Sequence, residues 1–195
     1  MKSIVLASGN PGKKAEIEQL LQPLGTRVIT QVELGITEAE EPYDSFLENA
    51  AAKARHACMA TRLPALADDS GLCVDALGGA PGVRSARYAG EPRSDLRNNA
   101  KLLAEMSAHD DRRAHYVCVL VLMRGPGDMQ PLIAEAEWHG EIARSARGNG
   151  GFGYDPYFYL KELDKTAAEL DPAQKNRISH RGQALQKLLA LLQKS

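Results

Sequence analysis

Two apolar runs, Tyr116 to Met123 and Ile133 to Trp138, flank the turn-rich stretch Arg124-Gly125-Pro126-Gly127-Asp128. Strand-like segments this close in sequence pair as an antiparallel hairpin, because a parallel return needs a crossover of a dozen or more residues. A purely parallel sheet is therefore excluded. Elsewhere strand-like and helix-like segments alternate. Ser3 to Ala7 reads as a strand, and Ile17, Leu20, Leu21 and Leu24 fall at i, i+3, i+4 and i+7 of a first helix. A short strand is expected near Arg27 to Thr30. A second helix starts near Ser45, which has capping-box spacing with Glu48, and runs through alanine-rich sequence to about Thr61, with Pro64 at its exit. Ala65 to Ala67 and Leu72 to Val74 read as two strands around the acidic corner Asp68-Asp69-Ser70-Gly71. A third helix is predicted from Ser94 to near Met106, and a last one presents Leu185, Leu188, Leu189 and Leu192 on one face. The predicted class is α/β, a mixed β-sheet flanked by helices.

At 195 residues and 44% hydrophobic content, the chain can build one substantial core or two lobes sharing a sheet. A single domain over 1–195 is expected. The net charge of -1, from 24 basic and 25 acidic residues, provides no global field to gather nucleic acid or an acidic membrane surface. Basic residues that act on phosphate must then act locally. The longest apolar run, Val117 to Met123, falls far short of the ~20 residues that span a bilayer. The sequence enters Ile4-Val5-Leu6-Ala7 without a secretory leader, so the cytoplasm is the expected location. The three cysteines, Cys58, Cys73 and Cys118, have no metal-ligand spacing and read as small core residues in a reducing compartment.

Four motifs carry possible chemistry. In Ser8-Gly9-Asn10-Pro11-Gly12-Lys13, glycines at a strand-to-helix junction allow close backbone approach, and the helix N-terminus favours an anion such as phosphate. Lys13 would add a mobile point charge. The same stretch would also serve as a plain tight turn. A degenerate P-loop is a third reading, weakened by Ala7 in place of its first glycine and Lys14 in place of its Ser or Thr. The second motif is acidic. Glu38, Glu40 and Glu41 follow Gly35 in a loop, and Asp68 and Asp69 are expected at a strand end, where α/β sheets present ligands. Such carboxylates suit Mg2+, which keeps several waters and completes its shell with substrate phosphate oxygens. A solvated loop explains the glutamates equally well. Asp69, flanked by apolar strand residues, needs its charge satisfied in some way.

The third motif, Gly148-Asn149-Gly150-Gly151-Phe152-Gly153-Tyr154-Asp155-Pro156, places aromatics and a carboxylate on a bent backbone suited to stacking on a base and hydrogen-bonding it. A hairpin whose aromatics plug the core accounts for it as well. The fourth is Lys175 with Ser179-His180-Arg181-Gly182. Ser179 reads as an N-cap, so His180 and Arg181 occupy a first helical turn, where cations are disfavoured without an anionic or carbonyl-rich partner. Plain solvent exposure of the two is the alternative.

Taken together and in this order, these motifs resemble those of the inosine triphosphate pyrophosphatase family, the XTP/dITP diphosphatases, over nearly the whole chain. Gly78-Gly79-Ala80-Pro81-Gly82 and Ser85-Ala86-Arg87-Tyr88 are similar to the bacterial members. The resemblance implies an elongated mixed sheet, two lobes with a nucleotide cleft between them, and a homodimer. It implies hydrolysis of ITP, dITP and XTP to the monophosphate and pyrophosphate in one nucleoside triphosphate pyrophosphatase domain. Ser8, Gly9, Asn10, Pro11, Gly12 and Lys13 would grip the triphosphate. Asp69 would be catalytic, as general base, metal ligand or both, with Glu40 as its partner at the metal and Glu38 and Glu41 hard to tell from it. Ser70 would touch substrate, and Phe152, Gly153, Tyr154, Asp155, Lys175, His180 and Arg181 would surround base and sugar. Two other classes remain open: a P-loop-like kinase or ATPase built on Gly12-Lys13, and a non-catalytic nucleotide-binding regulator.

Overall fold

The computed structural model describes residues 2–194. Its strands are β1 (Ser3–Leu6), β2 (Arg27–Thr30), β3 (Ala65–Val74), β4 (Arg113–Met123), β5 (Leu132–Ile142), β6 (Phe158–Leu160) and β7 (Lys165–Thr166). Its α-helices are α1 (Pro11–Leu21), α2 (Phe46–Thr61), α3 (Asp95–Glu105), α4 (Pro172–Ile178) and α5 (His180–Leu192). The strands form one open sheet of seven in the order β2-β1-β3-β4-β5-β6-β7. β1 pairs in parallel with β2 and β3, and β6 pairs antiparallel with β5 and β7, so the sheet is mixed, as the hairpin requires. Among the described residues, no helix is long and apolar enough to cross a membrane.

Three sequence expectations are corrected. Ala65 to Val74 is one continuous strand, not two around a corner, and Asp68 and Asp69 lie in its middle, not at its end. Buried carboxylates interrupt a strand only if their charge goes unmet, and both have cationic partners described below. Pro11 is the first residue of α1 rather than part of a loop, a position where its missing N–H costs nothing. The helix then stops at Leu21, and Leu24 lies in a 3-10 turn after Pro23, where it is 53% exposed instead of on the core stripe.

The chain divides into two compact units. The first comprises residues 2–69, Cys118–Ala136 and residues 181–194. Its core joins Ile4, Leu6, Leu66, Leu120 and Leu122 from the strands with Ile17 and Leu21 of α1 and Leu185 and Leu188 of α5. The second comprises Ser70–Val117 and Glu137–His180, with a core of Leu72, Val74, Leu102, Met106, Tyr116, Trp138, Ile142, Tyr154 and Phe158. Burying each such side chain contributes roughly 1.5–3 kcal/mol. The helix starts agree with the sequence: Ser45 accepts from Glu48 N, and Ser94 from Arg97 N. α4, capped by Asp171 ahead of Pro172, has no counterpart in the periodicity reading. Cys58 and Cys118 are buried, and Cys73 is half-buried.

Candidate functional site

In the first unit the motif from Ser8 to Lys13 forms a capped strand-to-helix junction. Asn10 is the N-cap of α1, and its side-chain oxygen accepts from Gly12 N at 2.8 Å and Lys13 N at 3.1 Å. Ser8 Oγ accepts from Asn10 N at 3.2 Å. Gly9 N donates to Glu38 Oε1 at 3.1 Å, and a Cβ at this glycine would stand 2.4 Å from the same oxygen. A larger residue would have to push the exposed Glu38 side chain aside. Lys13 reaches from the helix start to Asp68, with Nζ 2.6 Å from Oδ1.

The two central carboxylates of β3 have contrasting surroundings. Asp68 is fully buried and held between two cations: Lys13 on Oδ1, and Arg181 Nε on Oδ2 at 2.7 Å. Arg181, itself 2% exposed, also pairs through Nη1 with Glu16 of α1. Burial opposes the charge of Asp68, but Arg181 and Lys13 outweigh it and hold the carboxyl well below its usual range. The anions Asp68 and Glu16 supply the partners that a cation in the first turn of α5 calls for.

Among the described residues Asp69 makes one ion pair, with a lysine that it shares. Lys53 Nζ donates to Asp69 Oδ1 at 2.6 Å, to Glu41 Oε1 at 2.8 Å and to the Asp68 carbonyl at 3.0 Å. Burial pushes the Asp69 carboxyl up, and Lys53 and Lys13 offset this only in part, while the Glu41 charge adds to the rise. Lys53 shows the reverse balance: burial disfavours its charge, yet the two flanking carboxylates raise it overall. One ammonium between two carboxylates gains from both, while the carboxylates compete for it. The other Asp69 oxygen, Oδ2, is buried and has no hydrogen-bond partner among the described residues.

The second unit gathers the glycine-rich motif. Asp155 Oδ2 accepts from Phe152 N at 2.8 Å and from Lys175 Nζ at 2.7 Å, which closes the turn and neutralises a buried carboxylate. Gly151 has φ +72°, and a Cβ there would lie 2.1 Å from Asp155 Oδ2, so this turn requires glycine. Lys175 Nζ lies 4.9 Å from the centre of the Phe152 ring. Gly153 is pinned on both sides, its N–H donating to Asp95 Oδ2 at 2.7 Å and its carbonyl accepting from Asn99 Nδ2 at 2.8 Å. Tyr154 is buried, and its hydroxyl donates to the Ser85 carbonyl at 2.7 Å. The His180 ring stacks on Tyr116 at 4.6 Å and 8°, and Tyr116 Oη lies 3.5 Å from Asp155 Oδ1.

The predicted residues thus fall into two groups. Ser8, Gly9, Asn10, Pro11, Gly12, Lys13, Asp69 and Arg181 belong to the first unit; Phe152, Gly153, Tyr154, Asp155, Lys175 and His180 belong to the second, as does Ser70, half-buried and next in sequence to Asp69. Of the three glutamates, Glu41 is joined to Asp69 through Lys53, Glu38 lies over Gly9, and Glu40 is exposed. Sequence reasoning missed Lys53 and Tyr116. Lys53 carried a signal: with Asn49, Ala50, Ala54 and Ala57 it lies on the buried face of α2, and a lysine on such a face needs an anionic partner.

The comparisons agree with this architecture. The model of the Ham1 family matches residues 4–191. A dITP/XTP pyrophosphatase of Nitrosomonas europaea is 62% identical over 192 residues, covering 98% of this chain and 95% of the relative. One from Ralstonia nicotianae is 62% identical over 195 residues, covering 98% and 97%. Among solved structures, a HAM1 protein from Coxiella burnetii superposes with a TM-score of 0.90 at 51% identity, covering both chains completely. The Staphylococcus aureus Ham1 protein gives 0.87 at 42% identity, with 99% of each chain covered.

Proposed function

The chain belongs to the Ham1 family, and from that premise we propose that it hydrolyses the deaminated purine nucleotides ITP, dITP and XTP to the monophosphate and pyrophosphate, clearing them from the cytoplasmic nucleotide pool. The observation that carries this reading is Asp69, a buried carboxylate with a raised pKa and an unpartnered oxygen, in the same unit as a capped phosphate loop. A kinase or ATPase reading lacks the hydroxyl that a P-loop places after its lysine, since Lys14 stands there.

The donor set fits magnesium. Asp69 Oδ2 is a hard oxygen without a hydrogen bond among the described residues, and Glu41 offers a second carboxylate through the shared Lys53. Asp69 and Glu41, rather than Glu40, would hold the ion, which when bound would supply positive charge to the triphosphate and the departing pyrophosphate. Asp69 accepts the proton of the attacking water. Its raised pKa brings it nearer the working pH, which favours a general base. The water oxygen bonds to the α-phosphorus, the bond from that phosphorus to the bridging oxygen breaks, and pyrophosphate leaves. Lys13 sits beside Asp68 and is the donor for phosphate oxygens. Arg181 is a positioning residue that fixes Asp68 and, through it, Lys13.

In the second unit, Phe152, Gly153 and Tyr154 on the Asp155–Lys175 pair, together with His180 on Tyr116, form the element that receives base and sugar. A homodimer completes the proposal, and light scattering giving twice the chain mass of 21.1 kDa would support it. The deciding experiment is a nucleotide panel with phosphate and pyrophosphate detected separately. Inosine triphosphate is expected to yield monophosphate and pyrophosphate. Diphosphate and orthophosphate as first products would reject the reading, and no turnover of any triphosphate would favour a nucleotide-binding regulator.

A further inference from the structure

β4 and β5 are neighbours in the sheet, and successive side chains on each strand point to opposite faces. In the second unit, Tyr116 and Trp138 face the core with ring centres 6.4 Å apart. One position along on each strand, His115 and His139 face the other way, with ring centres 5.4 Å apart and planes inclined at 35°. Both are accessible: the side chains are 25% and 73% exposed. Neither histidine has a part in the chemistry above.

Each imidazole has a carboxylate beside one nitrogen. Glu137 Oε2 lies 3.2 Å from His139 Nε2, and Asp75 Oδ1 lies 3.8 Å from His115 Nδ1. Neither contact is a hydrogen bond, but a carboxylate close to one nitrogen leaves the other nitrogen of each ring for an ion, the arrangement that metal-bound histidines use. The spacing agrees as well. With metal–nitrogen bonds of about 2.0–2.1 Å, two imidazoles on one tetrahedral ion have ring centres roughly 5 Å apart.

We propose that His115 Nε2 and His139 Nδ1 form a surface site for a divalent transition ion such as Zn2+ or Ni2+. Among the described residues, no group of three His, Cys, Asp or Glu is assembled for a metal. Water therefore fills the remaining positions, and the site binds more weakly than a closed structural zinc centre. Its nitrogen donors separate it from the oxygen-rich surroundings of Asp69, which suit magnesium.

The test is calorimetric titration of the whole protein with Ni2+ and with Zn2+, in excess magnesium to occupy the carboxylates. One ion per chain is expected. His115→Asn and His139→Asn should each weaken binding about tenfold or more, with circular dichroism and pyrophosphatase turnover in magnesium unchanged. Wild-type affinity in either folded variant would overturn the site. So would the absence of saturable binding to the wild type. Because the readout is metal binding and not hydrolysis, the site can fail without touching the functional reading, and the converse also holds.

Discussion

Lys53 Nζ lies 2.6 Å from Asp69 Oδ1, while Glu41 Oε1 holds the same ammonium at 2.8 Å. One cation thus balances two carboxylates. Asp69 is consequently under-neutralised for its burial, whereas Asp68, one residue before it, pairs with two cations, Lys13 and the Arg181 that also meets Glu16. Adjacent aspartates on one strand are driven in opposite directions, the first locked as an anion and the second pushed up towards the range of a base. Separation of two neighbouring carboxyls in this way commonly marks a division of roles.

Asp69→Asn should retain the fold and lower turnover about a hundredfold or more, the loss expected for a general base. Lys53 keeps Glu41 in that variant, so no buried cation is stranded. Near wild-type turnover in a folded Asp69→Asn protein at saturating magnesium would remove Asp69 from the mechanism.

Lys53→Met tests the shared ammonium through the pH–rate profile. On the proposed mechanism activity follows ionised Asp69, so the acid limb reports its pKa. Lys53 lowers the Asp69 pKa, and its removal should therefore move the acid limb to higher pH. An unmoved limb would show that a different group controls it.

Much of this was legible beforehand, because periodicity depends on local spacing. The hairpin of β4 and β5, the caps Ser45 and Ser94, and the leucine face of α5 follow from turn residues and from the intervals between apolar side chains. What sequence spacing does not reveal is which distant charge meets which. Asp68 and Asp69 read as a break in β3 only because Lys13, Lys53 and Arg181 come from remote segments to neutralise them. The same holds for Glu41, which meets Lys53 of α2 while Glu40 stays exposed. Nor does the spacing of the Ser8 to Lys13 motif reveal that Asn10 is the cap that occupies Gly12 N and Lys13 N.

Lys175→Met removes the cation from buried Asp155. Breaking one side of a buried pair typically costs about 3–5 kcal/mol, and in a chain of this size about 2–4 °C of melting temperature goes with each kcal/mol. A clear fall in melting temperature is expected, with the companion change Asp155→Asn recovering part of it. If both single variants melt like the wild type, the pair does not hold the Phe152 turn.

Asp68→Asn should destabilise the fold through pH. Arg181 and Lys13 hold the Asp68 carboxyl well below the usual aspartate range, so its stabilising contribution is present above the unfolded pKa and is lost as pH falls through the folded value. Urea unfolding at pH 7 should show the variant weaker than the wild type. The gap should narrow only on acidification below about pH 4, where the unfolded aspartate takes up its proton. A gap that closed between pH 7 and pH 5 would point to another titrating group.

Arg181 provides the last and most discriminating case, because its place in the sequence and its place in the fold suggest different roles. A guanidinium in the first turn of α5, within a motif associated with purine recognition, is a natural donor to the 6-oxygen of hypoxanthine. In the structure its Nε and Nη1 are committed to Asp68 and Glu16, and the side chain is 2% exposed. Removing it would take one of two cationic partners from Asp68 and an ion pair from Glu16, at a cost of about 3–5 kcal/mol for a buried charge that loses its partner. Lys13 would then be drawn more tightly to Asp68 and away from phosphate. Phosphate is common to every triphosphate, so Arg181→Ala should lower kcat/KM for inosine triphosphate and for ATP by the same factor, with a lower melting temperature. A donor to the base would behave differently: the loss would fall on inosine triphosphate, and ATP hydrolysis would barely change. Steady-state kinetics of the folded variant on the two substrates separates these outcomes, and a narrowed ratio between them would assign Arg181 to the base and end its role as a positioning residue.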